Sequence, residues 1–313
     1  MKRNEMKEVE MRRTNWEQNG KKAIGKKTIG KKIIEMKWMK YIFSLIVIGG
    51  ILTGCGAGAN SAITVVSRED GSGTRSAFTE IIGVAKDDVD NTVQTAEITN
   101  STSVMMTTIA GNENAIGYVS LGSMNDSVKA VKVDGVAATA ENVKSGDYKV
   151  SRPFEICVPK NGTTELAQDF IDYILSDAGQ AIIEKEGYIT VATGNTYEPS
   201  DKEGKITIAG STSVAPVMEK LAEQYKELNT NVVIEIQQTG SSAGIESVTQ
   251  GACDIGMSSR SLKEEELKNL DAIHIAMDGI CVIVNVNATV ENLTVDQIKE
   301  IFVGNVTDWS QVQ

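Results

Sequence analysis

The apolar positions of this 313-residue chain fall into short β-like runs, each followed by a small hydroxylated turn and then a helical pattern. Ile63-Thr64-Val65-Val66 reads as a strand running into Ser67-Arg68-Glu69-Asp70-Gly71-Ser72-Gly73-Thr74-Arg75, with Ser72, Gly73 and Thr74 opening the helix of Ser76-Ala77-Phe78. Ile206-Thr207-Ile208-Ala209 is a second strand. Gly210-Ser211-Thr212-Ser213 follows it, and then an amphipathic helix carrying Val217, Met218, Leu221, Tyr225 and Leu228. Val232-Val233-Ile234-Glu235-Ile236 is a third strand, followed by Thr239-Gly240-Ser241-Ser242-Ala243-Gly244 and a helix beginning near Ile245. Asp254-Ile255-Gly256-Met257 ends in Ser258, Ser259 and Arg260. Strand, turn and helix repeated in this way predict an α/β fold whose ligand sits beyond the carboxyl ends of parallel strands.

The turns share one chemistry. The first N–H groups of a helix have no intrahelical partner, and the helix dipole places partial positive charge there. Ser72 and Thr74 add hydroxyls, and Arg68 adds a guanidinium fork suited to a tetrahedral anion. Taken alone, residues 67–75 also fit a serine-capped helix beside a surface Arg–Asp pair. Four such turns in one chain, all rich in Ser, Thr and Gly, point instead to an oxyanion site.

The segments GSTSVAP (210–216), TGSSAGI (239–245), DIGMSSR (254–260), MDGICVIVN (277–285), NLTVDQIKEIFVGNVTDW (292–309) and SREDGSGTR (67–75) resemble blocks of the PstS family. These are the phosphate-binding proteins of ABC importers, and the resemblance covers most of residues 61–313. It implies a type II periplasmic-binding-protein-like clamp, two lobes of mixed or parallel sheet flanked by helices and joined by a two-segment hinge. Carried over by position, Thr212 and Ser213 bind the anion through hydroxyl and backbone N–H, and Ser241 does so from its helix start. Arg68, Ser72, Gly73 and Thr74 form the opposite wall, and Asp70 is expected to hold the Arg68 fork. Some family members place an aspartate that accepts the phosphate proton where this chain has Ser259. A serine hydroxyl both donates and accepts, so sulfate or molybdate remains an alternative ligand and a phosphate sensor an alternative role.

The order of these blocks departs from the family pattern, in which GSTSVAP precedes SREDGSGTR. The chain reads as a circular permutation, with a fragment of a tandem array as the alternative. A polar linker from Thr193 to Gly204 joins the two halves. The expected lobes are 61–148 with 287–313, carrying SREDGSGTR, and 149–286, carrying the other three turns. The expected hinge lies near Val150–Pro153 and Val284–Asn287.

Residues 41–52 (YIFSLIVIGGIL) are apolar and follow a basic stretch. Twelve helical residues reach about 18 Å, short of a bilayer core of about 30 Å, so a signal segment is expected rather than a membrane span. Leu52-Thr53-Gly54-Cys55 resembles a lipobox, which implies residues 1–54 as basic region and signal peptide, lipidation of Cys55, a tether through residue 60 and a place on the extracytoplasmic face of the cell membrane. The first forty residues hold 13 Lys and Arg against 5 Asp and Glu, and a start at Met36 or Met39 is an expectation. The remainder holds 18 basic and 37 acidic side chains, a net of −19. Such a body argues against nucleic acid as a partner and requires an anion site built from desolvated donors. The expected partners are inorganic phosphate, permease subunits and the membrane through Cys55, with the protein a monomer.

Cys157, Cys253 and Cys281 sit among apolar residues and read as small buried hydrophobes. No zinc spacing accompanies them, and neither metal nor cofactor is expected. His274, the one histidine, lies in the strand-like run Ala272–Met277. The P-loop pattern is missing, and no Ser-x-x-Lys stands at a helix start near the signature turns, so a serine hydrolase is the weaker alternative and no catalytic residue is assigned. Arg75 and Arg260 are placed equally well as anion donors or in salt bridges.

Overall fold

The computed structural model describes residues 61–87, 89–191 and 194–312. The apolar segment 41–52, Cys55 and the tether therefore lie outside the described residues. In chain order the first principal elements are β1 (Thr64–Arg68), α1 (Gly73–Ile82), β2 (Glu97–Thr99), α2 (Thr102–Ala110) and β3 (Ala115–Ser120). Next come β4 (Ser151–Pro159), α3 (Glu165–Ile174), α4 (Asp177–Lys185), β5 (Gly204–Gly210) and α5 (Ala215–Leu228). β6 (Val232–Gln238), α6 (Ser241–Thr249), β7 (Ile255–Ser258), β8 (Leu270–Asn285) and α7 (Val295–Phe302) complete them.

Among these residues one ten-stranded sheet runs in the order β6-β5-β7-β4-β8-β3-β1-β2, with Val128–Ala130 and Ile189–Thr190 paired onto β8. β1 is parallel to β2 and β3, and β5 is parallel to β6 and β7. Both parallel sets direct their carboxyl ends, and the helix starts that follow, toward the same region. Between them lie the antiparallel β4 and β8.

Separate cores back the two parallel sets. Phe154, Phe170, Ile206, Leu221, Tyr225 and Met257 are buried together under α3, α4 and α5. Phe78, Tyr118, Val282, Val284, Ile298 and Phe302 form the other core, with α1 and α7. Its aromatic centre is ordered: Phe78 stacks on Tyr118 at 4.0 Å between centroids, and Phe302 meets Phe78 edge-on at 4.8 Å. On the opposite face of that sheet α2 packs Met105 and Ile109 against Val66 and Ile283.

β8 carries the chain from one half to the other. Leu270 to Gly279 pairs with β4, with a bulge between His274 and Ala276, and Ile280 to Val284 pairs with β3. The changeover thus lies at Asp278–Ile280, upstream of the crossover expected near Val284–Asn287, because this sixteen-residue strand runs unbroken through both halves. His274 is on this strand, exposed, with its Nε2 2.8 Å from the Ala276 carbonyl.

Residues 194–203 have no regular structure but are fastened to α3. Asp169 Oδ2 accepts from Tyr197 Oη at 2.7 Å, Ser200 Oγ at 3.1 Å and Tyr225 Oη at 2.6 Å. Burial acts to raise the Asp169 pKa, but the three hydroxyls and Lys202 outweigh it and hold the carboxylate below its ordinary value.

Candidate oxyanion site

Four helix starts meet at the carboxyl ends of the parallel strands. Ser72 caps α1, its hydroxyl accepting from the Arg75 N–H at 3.3 Å. Ser101 caps α2 by accepting from the Val104 N–H at 3.2 Å. The Ser211 hydroxyl accepts the Ser213 and Val214 N–H groups just before α5. α6 begins at Ser241 rather than near Ile245: Gly240, at φ +90°, turns the chain so that Ser241 and Ser242 enter the first helical turn. Each helix start supplies dipole and N–H groups to the same place.

The two halves touch through side chains of these starts. Thr74 Oγ1 is 2.9 Å from Ser213 Oγ, and the Ser242 N–H donates to the Gly71 carbonyl at 3.1 Å. Ser241 Oγ accepts from the Ser259 N–H at 3.2 Å and stands 3.3 Å from Ser259 Oγ. Gly73 is wedged against both serines: a Cβ there would stand 2.4 Å from Ser241 Oγ and 2.7 Å from Ser259 Oγ. Arg68, Ser72, Thr74, Thr212, Ser213, Ser241 and Ser259 are all buried. Arg68, Gly73, Thr74, Thr212, Ser213, Ser241 and Ser259 thus meet in adjoining contacts, while the Ser72 hydroxyl serves its own helix start and Asp70 lies elsewhere.

Asp70 is a correction. Its side chain is 97% exposed and pairs with Arg75 at 2.9 Å. The carboxylate on Arg68 is Glu69, which accepts from Nε and Nη2, each at 2.8 Å. The turn that begins after β1 carries Asp70 out to solvent, while Glu69 stays beside the strand end. Arg75 donates to the Arg68 carbonyl at 2.8 Å and pairs with Asp90 at 2.7 Å, so it braces the turn. Arg260 is tied up with Glu266 at 2.8 Å.

Tyr118 fixes the other side of Arg68. Its Oη accepts from the Arg68 N–H at 3.1 Å and shares a 2.8 Å hydrogen bond with Ser67 Oγ. Burial pushes its pKa up to about 12, with the hydrogen bonds and nearby arginines opposing, so the phenol stays protonated at neutral pH. The guanidinium itself points into the hydroxyl cluster, donating to Thr212 Oγ1 at 3.0 Å and to Thr102 Oγ1 at 3.5 Å.

Thr102 escaped the sequence reading. Its hydroxyl is also 3.1 Å from Ser213 Oγ and 3.3 Å from Thr212 Oγ1. A signal was there: Ser101-Thr102-Ser103-Val104 repeats the tetrapeptide Ser211-Thr212-Ser213-Val214. Among the described residues no group of three or more His, Cys, Asp or Glu could hold a metal ion. Neither is any helix of those residues long and apolar enough to cross a membrane.

A curled α/β sheet in two halves, with hydroxyls and helix starts of both halves meeting at one arginine, defines a solute-binding clamp of the periplasmic-binding-protein type. The model of the PBP superfamily domain matches residues 3–178 and 195–313. The chain is 48% identical over 291 residues to the phosphate-binding protein PstS 2 of Streptococcus agalactiae serotype V, covering 88% of this chain and 99% of the relative. It is 44% identical over 276 residues to PstS 2 of Streptococcus pneumoniae serotype 4, covering 87% and 94%. The crystal structure of a phosphate-binding protein of a phosphate ABC transporter from Streptococcus pneumoniae superposes with a TM-score of 0.66 at 45% identity, covering 80% of this chain and all of that one. This chain belongs to the PstS family within the PBP superfamily.

Proposed function

We propose that this protein captures inorganic phosphate between its two lobes and delivers it to an ABC-type importer. The observation that carries this reading is the convergence of Arg68 with the buried hydroxyls of Ser72, Thr74, Thr102, Thr212, Ser213, Ser241 and Ser259 at four helix starts. The phosphate binding and ABC transport named in its relatives agree with it. Donors from both halves replace the anion's hydration shell, and a hydrogen bond to a charged group contributes about 1.5–3 kcal/mol. With Glu69 already on the guanidinium, helix dipoles and hydroxyls supply much of the compensation. The arrangement binds and carries; it is not read as an enzyme.

The two lobes follow the expected division except that the contiguous one ends earlier, with the boundary at Arg152 on β4 and at Asp278–Ile280 on β8. The block order, shared with the PstS 2 relatives that align over 99% and 94% of their own length, is read as a circular permutation relative to other members of the family. Residues near the two ends of the described chain support this reading: Ile63 N–H donates to the Thr307 carbonyl at 2.8 Å and Trp309 N–H to the Ser61 carbonyl at 2.9 Å. A lipid on Cys55 would hold the protein at the extracytoplasmic face of the membrane, as a monomer that meets the permease.

Replacing Arg68 by Ala tests the site. It removes the guanidinium and leaves Glu69 beside the anion, an uncompensated charge costing about 3–5 kcal/mol. Phosphate affinity should therefore fall more than about a hundredfold while the protein stays folded. Parent-like affinity in a folded Arg68→Ala variant would remove Arg68, and this reading of the site with it.

A further inference from the structure

A second buried arginine stands directly behind the anion site. Arg152 on β4 and Asp278 on β8 face each other across the two strands that pass between the lobes, and neither reaches solvent. Arg152 Nε and Nη2 donate to Asp278 Oδ2 at 3.1 and 3.0 Å. The remaining nitrogen, Nη1, donates to the Ser259 carbonyl at 3.1 Å. Asp278 Oδ1 accepts from Ser120 Oγ at 2.9 Å and from the Leu121 N–H at 3.1 Å. One ion pair thus reaches Ser120 and Leu121 in one lobe and Ser259 in the other.

A buried ion pair is seldom a net gain in stability over a packed apolar pair, because both charges are desolvated. Its position offers another use. The Ser259 main chain that Arg152 holds carries the N–H and hydroxyl that meet Ser241. Burial lowers the Arg152 pKa from its ordinary value, Asp278 offsets part of that, and the nearby Arg68 adds to the lowering. Each is matched by one carboxylate, Glu69 for Arg68 and Asp278 for Arg152, so these four side chains carry no net charge.

We propose that Arg152 is a positioning residue for the oxyanion, fixing the Ser259 peptide and lending a second positive charge behind the site, and that Asp278 attenuates that charge and so keeps anion affinity below its maximum. This rests on the reading of the cleft as a phosphate site. It makes stability and affinity respond to Asp278 in opposite directions. In Asp278→Asn the amide oxygen still accepts from Ser120 and Leu121, but the negative charge is gone. Arg152 is then uncompensated in the interior, and its field acts on the ligand.

The test compares full-length parent and Asp278→Asn proteins by titration with inorganic phosphate and by thermal unfolding. The variant is expected to melt lower yet bind phosphate about tenfold more tightly or better, the scale of one charge change a short distance behind a site. Unchanged or weaker binding in the folded variant overturns the proposal. Should Asp278→Asn fail to fold, Arg152→Lys and Arg152→Gln carry the question. The lysine, which keeps the charge, is expected to bind at least about tenfold more tightly than the glutamine; equal affinities contradict the proposal. A parent that binds no phosphate refutes the functional reading itself and this inference falls with it. A parent that binds normally, beside variants that move the wrong way, refutes only the inference.

Discussion

Thr74 Oγ1 and Ser213 Oγ lie 2.9 Å apart although 139 positions separate them in the chain. The start of α1 from one half and the turn before α5 from the other come together as hydroxyl against hydroxyl, with Gly73 pressed against Ser241 and Ser259 beside them. At such a junction one added carbon decides whether the halves can approach.

Gly73→Ala should therefore weaken phosphate binding more strongly than it weakens the fold. Gly73 does not have the left-handed backbone that only glycine tolerates, and alanine is a better helix former. The steric conflict arises only with Ser241 and Ser259, across the cleft. The expected result is an affinity loss of about tenfold or more, beside a melting temperature within about 4 °C of the parent. Titration and thermal scans of the same sample check it, and parent-level affinity would show that the halves close by another route.

Thr102→Val tests the residue that the sequence reading missed. Valine keeps the shape of threonine and removes the hydroxyl that faces Arg68, Thr212 and Ser213. Phosphate affinity should drop by about 1.5–3 kcal/mol, the size of a hydrogen bond to a charged group. An unchanged dissociation constant would place Thr102 outside the ligand contacts.

The segment 194–203 should be held by an acid-sensitive tie. The folded pKa of Asp169 lies below the ordinary aspartate value, so its stabilising effect is fully present above that ordinary value. It is lost as pH falls through the folded pKa, because the unfolded chain takes up the proton first. The stability difference between parent and Asp169→Asn should be constant from pH 7 to about pH 5 and shrink below pH 4. Denaturant titrations at several pH values measure it, and a difference that grows with acidity would contradict the assignment.

Cys55→Ser should release the protein from the membrane fraction into the medium. The lipobox-like Leu52-Thr53-Gly54-Cys55 motivates this proposal, and fractionation with immunoblotting reads it. Continued retention of the serine variant would mean that another segment anchors the chain.

Much of the fold was legible because its signals are local. Ile63–Val66, Ile206–Ala209 and Val232–Ile236 are apolar runs between turn residues, and each lies within or beside a strand of the sheet. The Ser and Thr of the turns were legible for the same reason, since helix starts select them. Partners across space were not. Whether Arg68 takes Glu69 or Asp70 depends on how the turn after β1 leaves the strand, and both carboxylates are close in sequence. Nothing local in the sequence links Arg152 to Asp278, and only the pairing of β4 with β8 sets them together. The changeover at Asp278–Ile280 was hidden because the strand continues through it, and the single Gly279 there does not interrupt the strand.

The most direct test of phosphate capture is titration calorimetry on the purified protein, with phosphate alone and then with phosphate in excess sulfate. Tight one-to-one binding that sulfate leaves unchanged is the predicted result. A folded sample that takes up no phosphate, or that gives it up to sulfate, would contradict the assignment of this cleft as a phosphate site.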